Sequence, residues 1–286
     1  MKIGFIGVGA MGAAMAGHAV RAGFEVAAFD TDADTLAAAA VDGVTAAGSL
    51  ADLSAIDVAI VMVATDAQSI TVTHGLLDAG LGEGAVIVVT ATNHPKTMIS
   101  LAETCAAKGV GFVDAPVCYG LQGAIHGNLI SLCGGSDADI AKARPVLDSY
   151  SRSVEHLGGP GSGQLGKTCN NMMHWAACVA NYEVLALAKS CGINAQDMRQ
   201  TLLKCPARNT TLERWDTTKF TWHQKDMDVA LELSQQAGLA LPMFGAVDQL
   251  VKRLGPDQVR ELLHGEAGEY LGQPITPRTL SEVTDS

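Results

Sequence analysis

The chain opens Lys2-Ile3-Gly4-Phe5-Ile6-Gly7-Val8-Gly9-Ala10-Met11-Gly12, and the reading of this stretch decides the fold. Lys2 to Ile6 is a short apolar run that reads as a buried strand, and a helical pattern continues from the glycines to Arg21. A G-x-G-x-x-G turn between a strand and a helix has the context that a dinucleotide-binding βα unit requires. Gly7 permits the tight turn, Gly9 lets a pyrophosphate approach the backbone, and Gly12 lets helix and strand pack closely. The helix N-terminus then offers unpaired N–H groups and partial positive charge. Gly7, Gly9, Ala10, Met11 and Gly12 are therefore candidate cofactor-binding residues.

Further along, a second apolar run from Glu25 to Phe29 ends on Asp30, roughly twenty residues beyond the glycines, where a carboxylate can accept from both hydroxyls of an adenosine ribose. The same charge repels a 2′-phosphate, so NAD is expected rather than NADP. A helix cap is the competing role for Asp30.

Strand-like and helix-like segments keep alternating: Thr35 to Val41 (helix), Val58 to Val63 and Val86 to Val89 (strands), and Pro95 to Lys108 (helix). Gly111 to Asp114 and Leu129 to Leu132 (strands), Asp137 to Tyr150 (helix) and Val154 to Leu157 (strand) follow. Continuous Val and Ile runs between helices indicate a parallel sheet covered on both faces, with ligands at the carboxyl ends of its strands. That rule selects the loops after Val63 (Ala64, Thr65), after Val89 (Thr90, Ala91, Thr92) and after Val113, with helix capping as the alternative for Thr65 and Thr92.

Near residue 160 the character changes to helix alone. Gly161-Ser162-Gly163-Gln164-Leu165-Gly166-Lys167-Thr168-Cys169-Asn170-Asn171 begins as a glycine-rich turn and runs into a long apolar segment reaching about Cys191. Its apolar residues (Met172, Met173, Trp175, Val179, Val184, Leu185, Leu187) point in every direction, predicting a helix buried all round that joins two domains. Lys167 and Asn171 are spaced i, i+4, one above the other on one face. Helices are expected at about Asn194 to Lys204, Gln224 to Gln236, Pro242 to Leu254 and Pro256 to Leu263. Cys205 to His223 is a candidate loop folding back over the cleft, and the tail from Gln273 is expected to fray or dock on a partner subunit. The fold class is thus α/β: a Rossmann domain over residues 1–160, and an all-α domain over 161–286 joined by a long interdomain helix.

At 286 residues the chain has length for two cores, and its formal charge of −11 argues against a nucleic-acid partner. Seven scattered cysteines without a C-x-x-C pair suit reduced thiols, and neither a metal site nor a nucleophile elbow is spelled out. The first strand starts at residue 2 and the long helix carries charge, so a cytoplasmic protein without a membrane span is expected.

Taken together, four ordered stretches resemble the β-hydroxyacid dehydrogenase family, of which 3-hydroxyisobutyrate dehydrogenase is the best-known member. They are Gly7–Gly12; Asp114-Ala115-Pro116-Val117 with Gly120 and Gly123-Ala124; Gly163 through Asn171; and His223-Gln224-Lys225-Asp226. The resemblance implies a nicotinamide-dependent dehydrogenase acting on a small hydroxy acid, assembled as a dimer or tetramer. It implies Lys167 as the catalytic lysine and Asn171 as the substrate-orienting asparagine. Thr92 would stand near the nicotinamide ribose, Val63 and Ala64 would touch the cofactor through the backbone, and Lys225 would reach the cofactor from the second domain. Cys118, Tyr119 and Gly120 fall where the family binds the substrate carboxylate.

Departures from the family pattern fall in the same places. Cys118-Tyr119 replaces Ser-Gly, Val89-Thr90-Ala91-Thr92 replaces Asp-Ser-Ser-Thr, and Ala64 stands where proline is usual. A thiol donates weakly to a carboxylate, and Tyr119 adds a ring, so a pocket shaped for a different acid is expected. Competing readings are an imine or keto-acid reductase on the same scaffold and a non-catalytic dinucleotide-binding module.

Overall fold

The structure is a computed structural model that describes residues 1–40, 43–266 and 268–284. The chain divides into two compact units, Met1–Lys167 and Thr168–Ser286. The first unit opens with β1 (Lys2–Ile6), α1 (Ala10–Arg21), β2 (Glu25–Phe29), α2 (Ala33–Ala40), β3 (Thr45–Ala46) and β4 (Val58–Val61). Then come α3 (Asp66–Asp78), β5 (Val86–Val89), α4 (Pro95–Ala106), β6 (Gly111–Asp114) and β7 (Val117–Cys118). α5 (Gly120–Ile125), β8 (Leu129–Gly135), α6 (Asp137–Tyr150) and β9 (Ser151–Gly158) follow.

The strands form one sheet ordered β3-β2-β1-β4-β5-β6-β8-β7, with β9 on β8. From β3 to β6 every pairing is parallel, so the order reverses between β1 and β4, where such sheets hold their ligands. Successive side chains feed opposite faces. Phe5, Ile60 and Val88 pack with Met15 of α1 and Ala143 of α6, while Ile6, Val61 and Ile87 pack with Leu76 of α3 and Met98 of α4. Burial on both faces is why these strands read as unbroken apolar runs.

The sheet departs from the expected parallel arrangement at β8, which runs antiparallel to both β6 and β7. β6 passes through Ala115-Pro116 into β7 with no crossover helix, and the return along β8 is a reversal. Sequence periodicity also missed α3, whose mixed polar and β-branched residues carry little pattern. Its start is marked instead by a capping box, in which Thr65 Oγ1 accepts from Gln68 N and the Gln68 side chain accepts from Thr65 N. The helix expected over Thr35 to Val41 is α2, ending at Ala40; Val41 lies outside the described residues.

Within the second unit, the long helix α7 (Ser162–Ser190), which starts in the first unit, is followed by α8 (Ala195–Leu202), α9 (Thr210–Glu213), α10 (His223–Gln236) and α11 (Pro242–Val251). α12 (Pro256–His264), the strands β10 (Glu269–Tyr270) and β11 (Gln273–Pro274), and α13 (Leu280–Thr284) end the described chain. Trp175, Tyr182, Leu185, Trp215, Met227, Val251 and Leu262 form the core of this unit. α7 is not buried all round: Met173 is 69% and Leu187 67% exposed, because the core covers only one stripe of the helix. The segment expected as a loop is tied into this core. Trp215 is fully buried, and Arg199 Nε and Nη2 donate to Leu212 O and Glu213 O at 2.9 Å each. The tail forms a short hairpin with Ile275 buried beside it. Among the described residues no helix is long and apolar enough to cross a membrane.

Candidate active site

The glycine turn is built by steric necessity. Gly7 has φ +88°, and a Cβ there would collide with the Met62 carbonyl; one at Gly12 would collide with the carbonyl of Gly7. Gly9 differs, because a Cβ there would meet nothing within 4 Å. It precedes α1, whose start has no side-chain cap and no acidic residue in its first turn. An exposed helix N-terminus over open space suits a pyrophosphate. Asp30 sits above the same turn: its Oδ2 accepts from Val8 N at 2.9 Å and its Oδ1 from Asp32 N at 3.0 Å. Asp32, rather than Asp30, takes the position before α2, where its Oδ1 accepts from Thr35 N at 2.8 Å. The donor set and the open glycine fit a dinucleotide.

On the neighbouring strand ends, Val63 is half-buried and Ala64 exposed, with Ala64 N donating to Gln68 Oε1 at 2.9 Å. Thr65 is the α3 cap. Thr92 does not cap α4, since His94 does so through Nδ1 accepting from Lys96 N.

Lys167 stands near the start of α7, with its Nζ 4.0 Å from the Sγ of Cys118 on β7. After Cys118, the backbone turns left-handed at Tyr119 (φ 85°) and again at Gly120 (φ 56°), where a Cβ would meet nothing within 4 Å. A tyrosine in this conformation carries a steric cost of about 1–2 kcal/mol. Arg152 on β9 offsets it by donating from Nη2 to Tyr119 Oη at 2.7 Å, with its guanidinium carbon 4.4 Å from the ring centroid. In the second unit, Asn171 lies one turn beyond Lys167 on α7 and accepts at Oδ1 from Asn170 Nδ2 at 3.0 Å. Lys225 is in the first turn of α10, next to Asp226, whose Oδ2 accepts from Trp175 Nε1 at 3.0 Å.

Sequence reasoning did not assign two side chains at the start of α7. Asp114, fully buried at the end of β6, accepts from Gly161 N at 2.7 Å and Gln164 N at 2.8 Å. Burial pushes its carboxyl up to about 6 against the lowering effect of these backbone N–H groups. With Asp114 over the start of α7, that helix end is closed to a second anion. Gln164 donates from Nε2 to Ala91 O at 2.8 Å and accepts at Oε1 from Asn93 N at 2.9 Å. The signal was present in the sequence as Asp114 in its Asp-Ala-Pro-Val stretch and Gln164 between glycines, but neither residue announces its partner. Among the described residues no group of three or more His, Cys, Asp or Glu could hold a metal ion.

A glycine turn at the switch point of a 3-2-1-4-5-6 sheet defines a dinucleotide-binding fold, and comparison with known proteins gives the class. Residues 2–158 match the family described as the NAD binding domain of 6-phosphogluconate dehydrogenase. Residues 161–264 match the one described as NAD-binding of NADP-dependent 3-hydroxyisobutyrate dehydrogenase. The 2-(hydroxymethyl)glutarate dehydrogenase of Eubacterium barkeri is 31% identical over 266 residues, covering 87% of this chain and 88% of that protein. An NAD-dependent L-serine dehydrogenase of Pseudomonas aeruginosa is 30% identical over 220 residues, covering 74% of this chain and 72% of that protein. The structure of Mycobacterium tuberculosis 3-hydroxyisobutyrate dehydrogenase with L-serine superposes with a TM-score of 0.82 at 24% identity, over 92% of this chain and 99% of that one. The protein is an NAD(P)-dependent oxidoreductase acting on CH–OH groups of a small molecule. It belongs to the β-hydroxyacid dehydrogenase family.

Proposed function

We propose that this chain moves a hydride reversibly between NAD and a small β-hydroxy acid, with Lys167 carrying the proton on the substrate oxygen. The supporting observation is the Lys167 amine 4.0 Å from Cys118, at the mouth of the loop assigned to the substrate. When bound, the dinucleotide accepts or supplies the hydride. In oxidation the neutral amine of Lys167 takes the hydroxyl proton as the carbonyl forms; in reduction its ammonium returns the proton and steadies the oxygen's growing negative charge. Asn171, one turn on along α7, holds the same oxygen through its amide.

The substrate carboxylate is assigned to the backbone of Cys118, Tyr119 and Gly120, since Asp114 already occupies the start of α7. Both curated relatives are named for acids carrying a hydroxymethyl group next to a carboxylate, which supports the β-hydroxy class. Gly7, Gly9, Ala10, Met11 and Gly12 are assigned to the pyrophosphate, Asp30 to the adenosine ribose, and Val63, Ala64 and Thr92 to the nicotinamide end. Lys225 is assigned to the cofactor on the resemblance alone. The exposed Met173 and Leu187 favour a homo-oligomer.

The test is a panel of β-hydroxy acids with wild type and Lys167→Ala, alongside NADH titration. Loss of Lys167 should lower kcat by about 10²–10⁴-fold while NADH still binds. Turnover near the wild-type rate in that variant would sink the assignment.

A further inference from the structure

We propose that Gln164 is a positioning residue: its side-chain amide locks the first turn of α7 to the loop after β5 and thereby sets where the Lys167 amine stands. The inference rests on the proton-carrying role proposed for Lys167. Gln164 is 1% exposed, and its hydrogen bonds join three segments of the first unit. Its Nε2 donates to Ala91 O at 2.8 Å, its Oε1 accepts from Asn93 N at 2.9 Å, and its backbone N donates to Asp114 Oδ2 at 2.8 Å.

The two amide bonds fall on either side of Thr92, so the side chain closes on that residue's flanking peptides as a neighbouring strand would. Only a side chain that both donates and accepts at one planar end can make this pairing. Glutamate lacks the donor when ionised, and lysine and arginine lack the acceptor. Three residues later on the same helix comes Lys167, about 4.5 Å further along the axis. One amide therefore ties the base of the lysine to this loop.

On its other side the turn is seated against the sheet, so the loop after β5 is the side left for the Gln164 amide to hold. At Gly163 a Cβ would collide with the carbonyl of Leu132 and lie 2.7 Å from that of Asp114. The helix backbone thus rests directly on β6 and β8, while Asp114 holds its first N–H groups. Without the amide, the Ala91 carbonyl and Asn93 N–H would lose their partner in a buried setting, and the loop and helix would part. Misplacing a catalytic group by about 1 Å costs on the order of 10²-fold in rate.

The test is a double-mutant cycle with Gln164→Met, which keeps the length and removes both bonds, in the wild-type and Lys167→Ala backgrounds. Gln164→Glu, which keeps the acceptor for Asn93 N but sets a buried carboxylate against the Ala91 carbonyl, is the harsher second variant. Gln164→Met should lower kcat about 30–100-fold with the NADH dissociation constant within about threefold and circular dichroism unchanged. Gln164→Glu should lose at least as much turnover near neutral pH. In the Lys167→Ala background the same change should move residual turnover by less than about threefold, because a positioning residue has nothing left to position.

An equal drop in both backgrounds, or loss of NADH binding, would overturn the proposal. High turnover of Lys167→Ala alone would instead sink the lysine's role. A readout that needs no substrate is the rate of reductive methylation of Lys167, followed by peptide mass spectrometry with exposed Lys108 as internal reference. It should change severalfold in Gln164→Met, and an unchanged rate would show that the amide does not set the amine's position.

Discussion

The buried carboxylate of Asp114 makes stability depend on pH in a way that one substitution should abolish. Its ordinary value of 3.8 is raised to about 6 in the folded protein, chiefly by burial, with the Gly161 and Gln164 N–H groups opposing. Below about pH 4 the group is protonated in folded and unfolded chains alike. Between about pH 4 and 6 the folded state holds a proton that the unfolded state has lost, so stability falls as pH rises; above that window the contribution is spent. The rise corresponds to roughly 3 kcal/mol, of which about 1.4 kcal/mol lies between pH 5 and 8.

Asp114→Asn removes the titration. It also sets an amide N–H₂ against one of the two backbone donors, a pH-independent loss of about 1–3 kcal/mol. Denaturant unfolding of both proteins at a series of pH values isolates the first effect, because every other titrating group cancels in the difference. The wild-type advantage over Asp114→Asn should shrink by about 1.4 kcal/mol from pH 5 to 8. A difference that stays flat, or grows with pH, would refute the idea that this carboxylate is held at an energetic cost.

Two other substitutions test the ligand assignments. Asp30→Ser removes the charge expected to repel a 2′-phosphate, so the ratio of kcat/KM for NADP over NAD should rise by about tenfold or more; an unchanged ratio would detach Asp30 from cofactor choice. Tyr119→Gly relieves about 1–2 kcal/mol of left-handed strain but forfeits the Arg152 contacts. It should shift relative kcat/KM across a series of β-hydroxy acids by about tenfold, and an unaltered ranking would deny Tyr119 a part in the pocket.

The glycine turn was legible in the sequence because its demands are local. Gly7 must take φ +88° and Gly12 must admit the carbonyl of Gly7, whatever the rest of the chain does. Strands buried on both faces announce themselves as apolar runs for the same reason. What could not be read was long-range. Gln164 meets Ala91 across 73 residues and Asp114 across 50, and neither partner carries a motif of its own. Tyr119 is a related case: its left-handed backbone, made tolerable by Arg152 33 residues away, could not be read from its neighbours in sequence. Apolar residues all round α7 suggested full burial, since composition counts apolar faces without saying what covers them.

The starts of the helices show how the chain separates its anion sites. Where helices follow strand ends, most N-termini are closed: α3 by Thr65, α4 by His94, α6 by Ser136 and α7 by Asp114. α1 is left open after Gly9. A capped start has fewer leading N–H groups to offer, so of these helices α1 has the most left for the pyrophosphate proposed there. Closure of α7 by a carboxylate goes further than capping by a hydroxyl, because it adds a negative charge that turns away a substrate's own carboxylate. Such an acid is left with backbone that no side chain caps, as after Tyr119, and this is the loop whose neighbouring thiol lies against Lys167.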